Sequence, residues 1–533
     1  MNQSALRLFR SKNGALTAQI ENYLIHSKYD PLREAYQFAE RLSPCSLFSW
    51  IIIIGDLFAY LATAIHEKFP QAHIISLSPE RGLVQSNVSP DEMVQKGMYR
   101  WEDKNLATLQ LFLDDCIPDH AVQDLRVLHW SPVLRAYPGW SKEVIRVITE
   151  RADLLSANYT TSRVFARRWL KNGLAHLAFD YVQGPLHMIT SIQGPTIVAA
   201  SGPGLSEFIP LLARYRDFYF LCALPSSLKA LHEAGLSPDL IMHADAGYWA
   251  TLHLHNLSHV QKEKQKPILF SSLTSAPFHQ KQEENDRYVH GLFIEEDSPF
   301  AAESPSLIHL PARGTVAANA FDLLNQIAAG PIFFVGLDLA ASDLRFHVKP
   351  HTFDPLIASG IYRYEPELHR RFIRSLEQGF SGSGLKKSSN ALSLYARFFS
   401  NRTDGKDISR IRSSCSIPLP GDKEITFLEQ LLANEVSGQH SIVYKTRTID
   451  FEIIRTIVLN NFQNRLNTMK QLRDQELRTL LSLAPSKRSI EEHRLINLFT
   501  MIDCDLHDVS KERIRKAIVP IEEMIEHVKK HLP

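Results

Sequence analysis

Apolar stretches of strand length alternate with helix-period segments over most of the chain. That pattern predicts helices packed on a largely parallel sheet. The first unit opens at "SLFSWIIIIGDLFAYLATAIHEKFPQAHIISLSP": an unbroken apolar run, a glycine, an amphipathic segment and a second apolar run, which is βαβ order. A second series predicts strands at Thr196–Ala200, Phe218–Cys222, Leu240–Ala244, Ile268–Ser271 and Ile332–Gly336, with helices starting near Gly204, Pro225, Tyr248 and Thr315. Units of that size suit a doubly wound sheet. Between the two series a helical pattern runs from Ser141 to about Asn172, and Val182 to Pro195 reads as a domain junction. Beyond about Gly421 the strand signal disappears, and segments such as "FEIIRTIVLNNFQNRLNTMKQLRDQELRTLLSLA" keep apolar residues at helical spacing, which predicts a bundle. The expected architecture is α/β: a nucleotide-fold-like unit over 1–182, a doubly wound central domain over 183–421, and a helical domain over 422–533.

Length agrees with more than one core, because a single core stops growing at about 250–300 residues and the chain has 533. Lys and Arg number 59 against 58 Asp and Glu, so no overall charge draws the protein to nucleic acid or to an anionic membrane, and any anion site must be local. The five cysteines, Cys45, Cys116, Cys222, Cys415 and Cys504, lack the spacing of a zinc or redox pair and fit free thiols in a reducing compartment. The N-terminal "MNQSALRLFRSKNG" has no apolar core behind its charges, and no stretch reaches the about 18–20 apolar residues of a membrane span. A cytoplasmic protein is expected.

Candidate chemistry lies at the predicted carboxyl ends of strands. In the first unit Gly55 is followed by Asp56, Leu57, Phe58 and Ala59, side chains that keep a cofactor away from the backbone, so this turn reads as structural. In "IVAASGPGLSEFIPLL" the turn Ser201-Gly202-Pro203-Gly204 precedes a helix; its N–H groups suit a phosphate, and a tight strand-to-helix turn with Pro203 at the first helical position is the alternative. Asp245 in "LSPDLIMHADAGYW" ends a strand, suited to a ribose hydroxyl, a metal or an acceptor, or else to capping a helix; His243 reads as a core residue. Arg313-Gly314-Thr315 begins a helix, with Thr315 as N-cap or part of an anion cradle and Arg313 as the matching charge. After the strand ending Gly336-Leu337-Asp338 come Ser342, Asp343 and His347, a set in which carboxylates can orient an imidazole for general-base work. Lys386 and Lys387 precede a helix that Ser388 or Ser389 can cap, which is either a cationic site or a solvated loop.

In order along the chain these segments resemble the bacterial motility-associated factor (Maf) glycosyltransferases, whose central domain is similar to bacterial sialyltransferases. The family pattern is a Gly-Pro-Ser-Leu turn, a strand ending in Asp, a Gly-Ser/Thr-Val helix start, and a Gly-hydrophobic-Asp-Leu strand end followed by Ser-Asp and a His. Here it reads Gly202-Pro203-Gly204-Leu205, Asp245, Gly314-Thr315-Val316, Gly336-Leu337-Asp338-Leu339, Ser342-Asp343 and His347. The likeness is close from about Thr196 to Gly421; in the N-terminal unit it is one of layout. Gly204 replaces the family's Ser, and Arg313 the first of a common Gly pair. The resemblance implies transfer of a nonulosonic acid, of pseudaminic or legionaminic type, from a CMP-sugar donor to Ser or Thr of flagellin before export. In that reading His347, Asp338 and Asp343 are catalytic, while Ser201, Gly202, Pro203, Gly204, Asp245, Arg313, Gly314, Thr315 and Lys386 hold the donor. Transfer is expected to persist without a divalent metal. The same central domain also resembles an archaeal pterin diphosphokinase, a Mg²⁺-dependent phosphoryl transferase in which Asp245, Asp338 and Asp343 would share the metal. A non-catalytic flagellin-binding or export helper is the third class.

Overall fold

The computed structural model describes residues 6–45, 49–84, 90–178, 185–259, 266–278, 287–304, 306–377, 379, 386–400, 408–437, 442–472, 476, 479–480, 488–502 and 511–530. The chain gathers into two compact units, one of residues 1–166 and 472–514, the other of 167–471 and 515–533. The division falls inside one helix of 41 residues, Pro138–Ala178. We keep the division at residues 182 and 421 as a proposal about how the chain is built.

In the first unit Met98–Glu102, His73–Ser78, Trp50–Ile54 and Leu125–His129 lie side by side, all parallel. In chain order this is 3-2-1-4, the first half of a dinucleotide fold. The strand Trp50–Ile54 is buried on both faces: Ile51 and Ile53 enter one core, Trp50, Ile52 and Ile54 the other. The turn behind it is filled by the protein's own groups. Gly55 has φ +96°, and a Cβ there would stand 2.8 Å from Cβ of Val133. Asp56, fully buried, accepts from the N–H of Ala62 at 2.9 Å and from the Ser76 hydroxyl at 3.2 Å. Arg100 donates to the carbonyls of Asp56 and Leu57, both at 2.8 Å.

The second unit is built on eight parallel strands in the spatial order Ile308–Leu310, Val289–Glu295, Ile268–Ser272, Leu240–His243, Phe220–Ala223, Thr196–Ala199, Ile332–Val335 and Ile408–Arg410. Helices cover both faces, so alternate residues of one strand enter different cores: Ile197 and Ala199 one, Val198 the other. The five strands expected in this region are present. Ile308–Leu310 and Ile408–Arg410, three residues each, are too short to show a period.

The expectation that strands end near Gly421 is corrected by Val443–Ile449, which pairs antiparallel with Leu186–Gln193. That strand is exposed along most of its length and sends only Tyr444 against the core, so its sequence carries no core pattern among the described residues. The helices Phe451–Gln471, Ile490–Ile502 and Lys511–Lys530 agree with the expected helical C-terminal region. Among the described residues, no helix is long and apolar enough to cross a membrane.

Candidate functional site

Strand order locates the site. From Thr196–Ala199 the chain adds strands outward in one direction through Ile308–Leu310, then returns to place Ile332–Val335 on the opposite flank of Thr196–Ala199. Loops leaving the carboxyl ends of these two neighbours must diverge to opposite faces, which opens a crevice between them. The loops are Ser201–Gly204 and Gly336–His347. Their backbones are joined where the N–H of Val348 donates to the Ser201 carbonyl at 2.8 Å.

The Gly-Pro-Gly turn is not the open cradle its spacing suggests. The N–H of Gly202 donates to the Gly336 carbonyl at 2.8 Å, that of Leu205 to the Gly202 carbonyl at 3.0 Å, and that of Gly204 to Oδ2 of Asp338 at 2.6 Å; Pro203 has no N–H. Asp338 is 1% exposed, and its Oδ1 accepts from the hydroxyls of Ser413 at 2.6 Å and Ser416 at 2.7 Å. Both its oxygens are taken by protein donors. Of the two readings of this stretch, Gly202 to Leu205 take the form of a tight strand-to-helix turn, and Asp338 fastens that turn. Gly202 and Gly204 are required by contact, since a Cβ on the first would run into Asp338 and the Gly336 carbonyl, and on the second into Ser413. Oγ of Ser413 occupies the space that a side chain at position 204 would need.

Above the turn, Oγ of Ser201 lies 3.2 Å from Nδ1 of His347 and accepts from the Ser226 hydroxyl at 2.8 Å. When His347 Nδ1–H donates to Ser201, Nε2 is free to take a proton and the Ser201 hydroxyl hydrogen is free for a ligand oxygen. His347 keeps an exposed edge. The protein packed round its ring, and then Arg374, lowers its pKa to about 4; Asp354 acts in the opposite direction. The ring is therefore neutral at pH 7, the form that accepts a proton. No hydrogen bond joins Asp343 to His347. Asp343 is exposed, with φ +49°, at the tip of a tight turn closed by Ser342 and Arg345.

His351 has His347 as its ring partner. The two rings stack 4.4 Å apart at 9°, and His253 packs against His351 at 5.1 Å. Burial, then the neighbouring imidazoles, lower His351 to about 3; burial first lowers His253 to about 4. These folded values lie below the ordinary one near 6.5, so the unfolded chain takes up protons first as pH falls. Their stabilisation is complete above about pH 6.5 and is lost as pH drops toward 4. For buried His351 alone the penalty at pH 5 is about 2 kcal/mol. Thermal melting should therefore fall from pH 7.5 to pH 5, and less steeply in His351→Gln; equal slopes would remove His351 from this account.

The remaining candidates occupy other parts of the same edge. Asp245 is exposed and accepts from the Gly247 N–H at 2.7 Å, a local turn. It acts on Tyr395, whose pKa is raised first by burial and then by that carboxylate, and whose hydroxyl donates to the Gly314 carbonyl at 3.2 Å. His243 is buried with Nε2 3.0 Å from the Ala276 carbonyl, the core role expected of it. Arg313 is matched by Asp322 at 2.7 Å and lies over Phe398. Thr315 precedes the helix Val316–Ile327 without a capping side-chain bond, so its hydroxyl stays available. The Lys386 side chain lies outside the described residues; its backbone pairs with Ser342. Ser389 accepts from the Leu392 N–H at 3.3 Å, the cap expected there. Among the described residues no group of three or more His, Cys, Asp or Glu side chains is arranged to hold a metal. With Asp338 committed to protein donors, Asp245, Asp338 and Asp343 do not form one donor set.

The whole chain overlays a solved structure described as the MAf glycosyltransferase from Magnetospirillum magneticum AMB-1, with a TM-score of 0.56 and 11% identity, over 99% of this chain and 90% of that one. The chain has the fold of that structure. Residues 174–344 match a family model described as 6-hydroxymethylpterin diphosphokinase MptE-like. An uncharacterized protein of Treponema pallidum (strain Nichols) is 24% identical over 254 residues, 47% of this chain and 54% of the relative, so the match spans about half of each. The Maf-like fold and the pterin-diphosphokinase-like central region are thus the two likenesses that the motifs imply.

Proposed function

We propose that the protein is a glycosyltransferase that moves a nonulosonic acid from a CMP-sugar to Ser or Thr of flagellin. What carries this reading is His347, hydrogen-bonded to Ser201, at the switch point of a sheet with the Maf fold. The donor phosphate accepts from the Ser201 hydroxyl, which the Ser226 hydroxyl orients by donating to its oxygen, outside the closed Gly-Pro-Gly turn. His347 takes the acceptor hydroxyl's proton as the bond from sugar carbon to phosphate oxygen breaks and the acceptor oxygen bonds to that carbon. CMP leaves with the electron pair. Transfer before export puts the reaction in the cytoplasm, and Asp343 and Asp245 stand where they can contact sugar or nucleotide.

The family model over residues 174–344 favours a second reading, pterin diphosphokinase-like phosphoryl transfer. Ligand-dependent melting separates the two, because a ligand that binds only the folded state raises its melting temperature. CMP should raise it more than ATP or GTP, with or without Mg²⁺. A rise specific to ATP with Mg²⁺ would replace the glycosyltransferase reading with the second one. Mass spectrometry of flagellin from cells with and without the protein tests the acceptor, the expected difference being loss of the sugar mass.

A further inference from the structure

A small cavity of about 50 Å³ opens beside His347, walled by Phe346, Phe353 and Ile357 and by the polar groups of His351, Asp354, Arg371 and Arg374. Two observations give it a chemical preference. His351 is 4% exposed, and its Nδ1 accepts from the Phe353 N–H at 3.4 Å, which puts the ring proton of the neutral form on Nε2. That Nε2 is buried and has no hydrogen-bond partner. An orphaned buried donor is unfavourable unless something accepts from it.

The second observation is the charge around it. Arg371 is matched by Glu367 at 2.6 Å and stands 3.9 Å from Asp354, whose other oxygen accepts the His351 backbone N–H at 2.7 Å. Arg374 makes no ion pair or hydrogen bond among the described residues, and its charge bears on both His347 and His351. Besides Asp354, whose two oxygens face the Arg371 guanidinium and the His351 backbone N–H, the lining offers one guanidinium whose fork has no carboxylate among the described residues, an N–H with no acceptor, and apolar walls. A guanidinium fork prefers a planar or tetrahedral oxyanion held in two hydrogen bonds.

We propose that this cavity is an oxyanion subsite, in which Arg374 and His351 Nε2–H hold a carboxylate or phosphate oxygen pair of the ligand next to His347. The assignment rests on the glycosyltransferase reading only for its role: there it would hold the carboxylate of an acidic sugar or the phosphate of its donor, and Arg374 would set the requirement for a charged sugar. The cavity has room for such a group and not for a whole sugar ring.

The full-length protein and Arg374→Gln, an exposed position whose change leaves the core intact, are titrated with N-acetylneuraminic acid, inorganic phosphate and neutral N-acetylglucosamine. Affinity is read by calorimetry, and the imidazole signals of His347 and His351 by nitrogen NMR. At least one of the two anions should bind and shift both imidazoles, and Arg374→Gln should weaken that binding at least about tenfold, with Arg374→Lys intermediate. A response to the sugar acid alone assigns the subsite to a carboxylate, and to phosphate alone, a phosphate. The proposal falls if neither anion shifts the imidazoles, if the neutral sugar binds as well as the acid, or if Arg374→Gln binds both anions like wild type. CMP-induced stabilisation of the same samples reports on the parent reading separately: anion binding that needs Arg374 without any CMP response would retain the subsite and discard the sugar-transfer role.

Discussion

On the proposed mechanism His347→Ala should lower glycosyl transfer by about 10²-fold or more, the usual contribution of a positioned general base, while CMP-induced stabilisation and the melting temperature in its absence should stay close to wild type. The ring is exposed at one edge, is hydrogen-bonded to Ser201 and stacks on His351, and it lies outside the apolar clusters, so its removal leaves the hydrophobic core in place. With a pKa lowered to about 4, the imidazole is neutral throughout the neutral range, and activity should be flat from pH 6 to 8 as far as this group is concerned. The comparison to make is turnover per folded molecule. Wild-type turnover would eliminate His347 as the base, and loss of fold would make it a structural residue.

Asp338→Ala has the opposite signature. The carboxylate is buried and receives one backbone N–H and two hydroxyls, so its removal leaves the Gly204 N–H without an acceptor and loosens the loop that carries Ser201. The expected loss is about 3 kcal/mol of stability, with CMP binding and transfer falling together. Asp338→Asn keeps the shape but turns a donor toward groups that already donate, so it should lie between alanine and wild type. Urea denaturation decides the matter. If Asp338→Ala unfolds with the wild-type midpoint while losing activity, Asp338 acts on substrate and its role as a fastening for the turn is wrong.

These two residues also mark how far the sequence could be read. The parallel sheet was legible because runs such as Ile197 to Ala200 and Ile332 to Val335 are buried on both faces and stay apolar without interruption. The edge of that sheet was legible from Gly336-Leu337-Asp338, since glycine and aspartate end strands for local reasons. What Asp338 touches was not. Its partners lie at positions 204, 413 and 416, and no local rule joins a serine at 413 to a glycine at 204. The same distance in sequence hid Arg374, which reaches the cavity from the helix Glu367–Glu377, and Asp322 as the partner of Arg313 lay outside any motif. His351 and Asp354 were within reach: "HVKPHTFDP" packs two imidazoles and a carboxylate into nine residues, and four-residue spacing of the histidines was the available signal.

The fastening of Asp338 has a consequence for how the protein comes into being. Gly204, Asp338 and Ser413 leave the ribosome far apart in time, and the hydroxyls that complete the carboxylate's shell come last. Until then, the charge has only part of its shell, and contacts so distant in sequence close slowly. The stretch that matches the pterin diphosphokinase-like family model ends at residue 344, before Ser413 and Ser416 have been made. A fragment cut at that boundary would carry the glycine turn and Asp338 without the serines that complete the lock, so that turn should be less stable in the fragment than in the full chain.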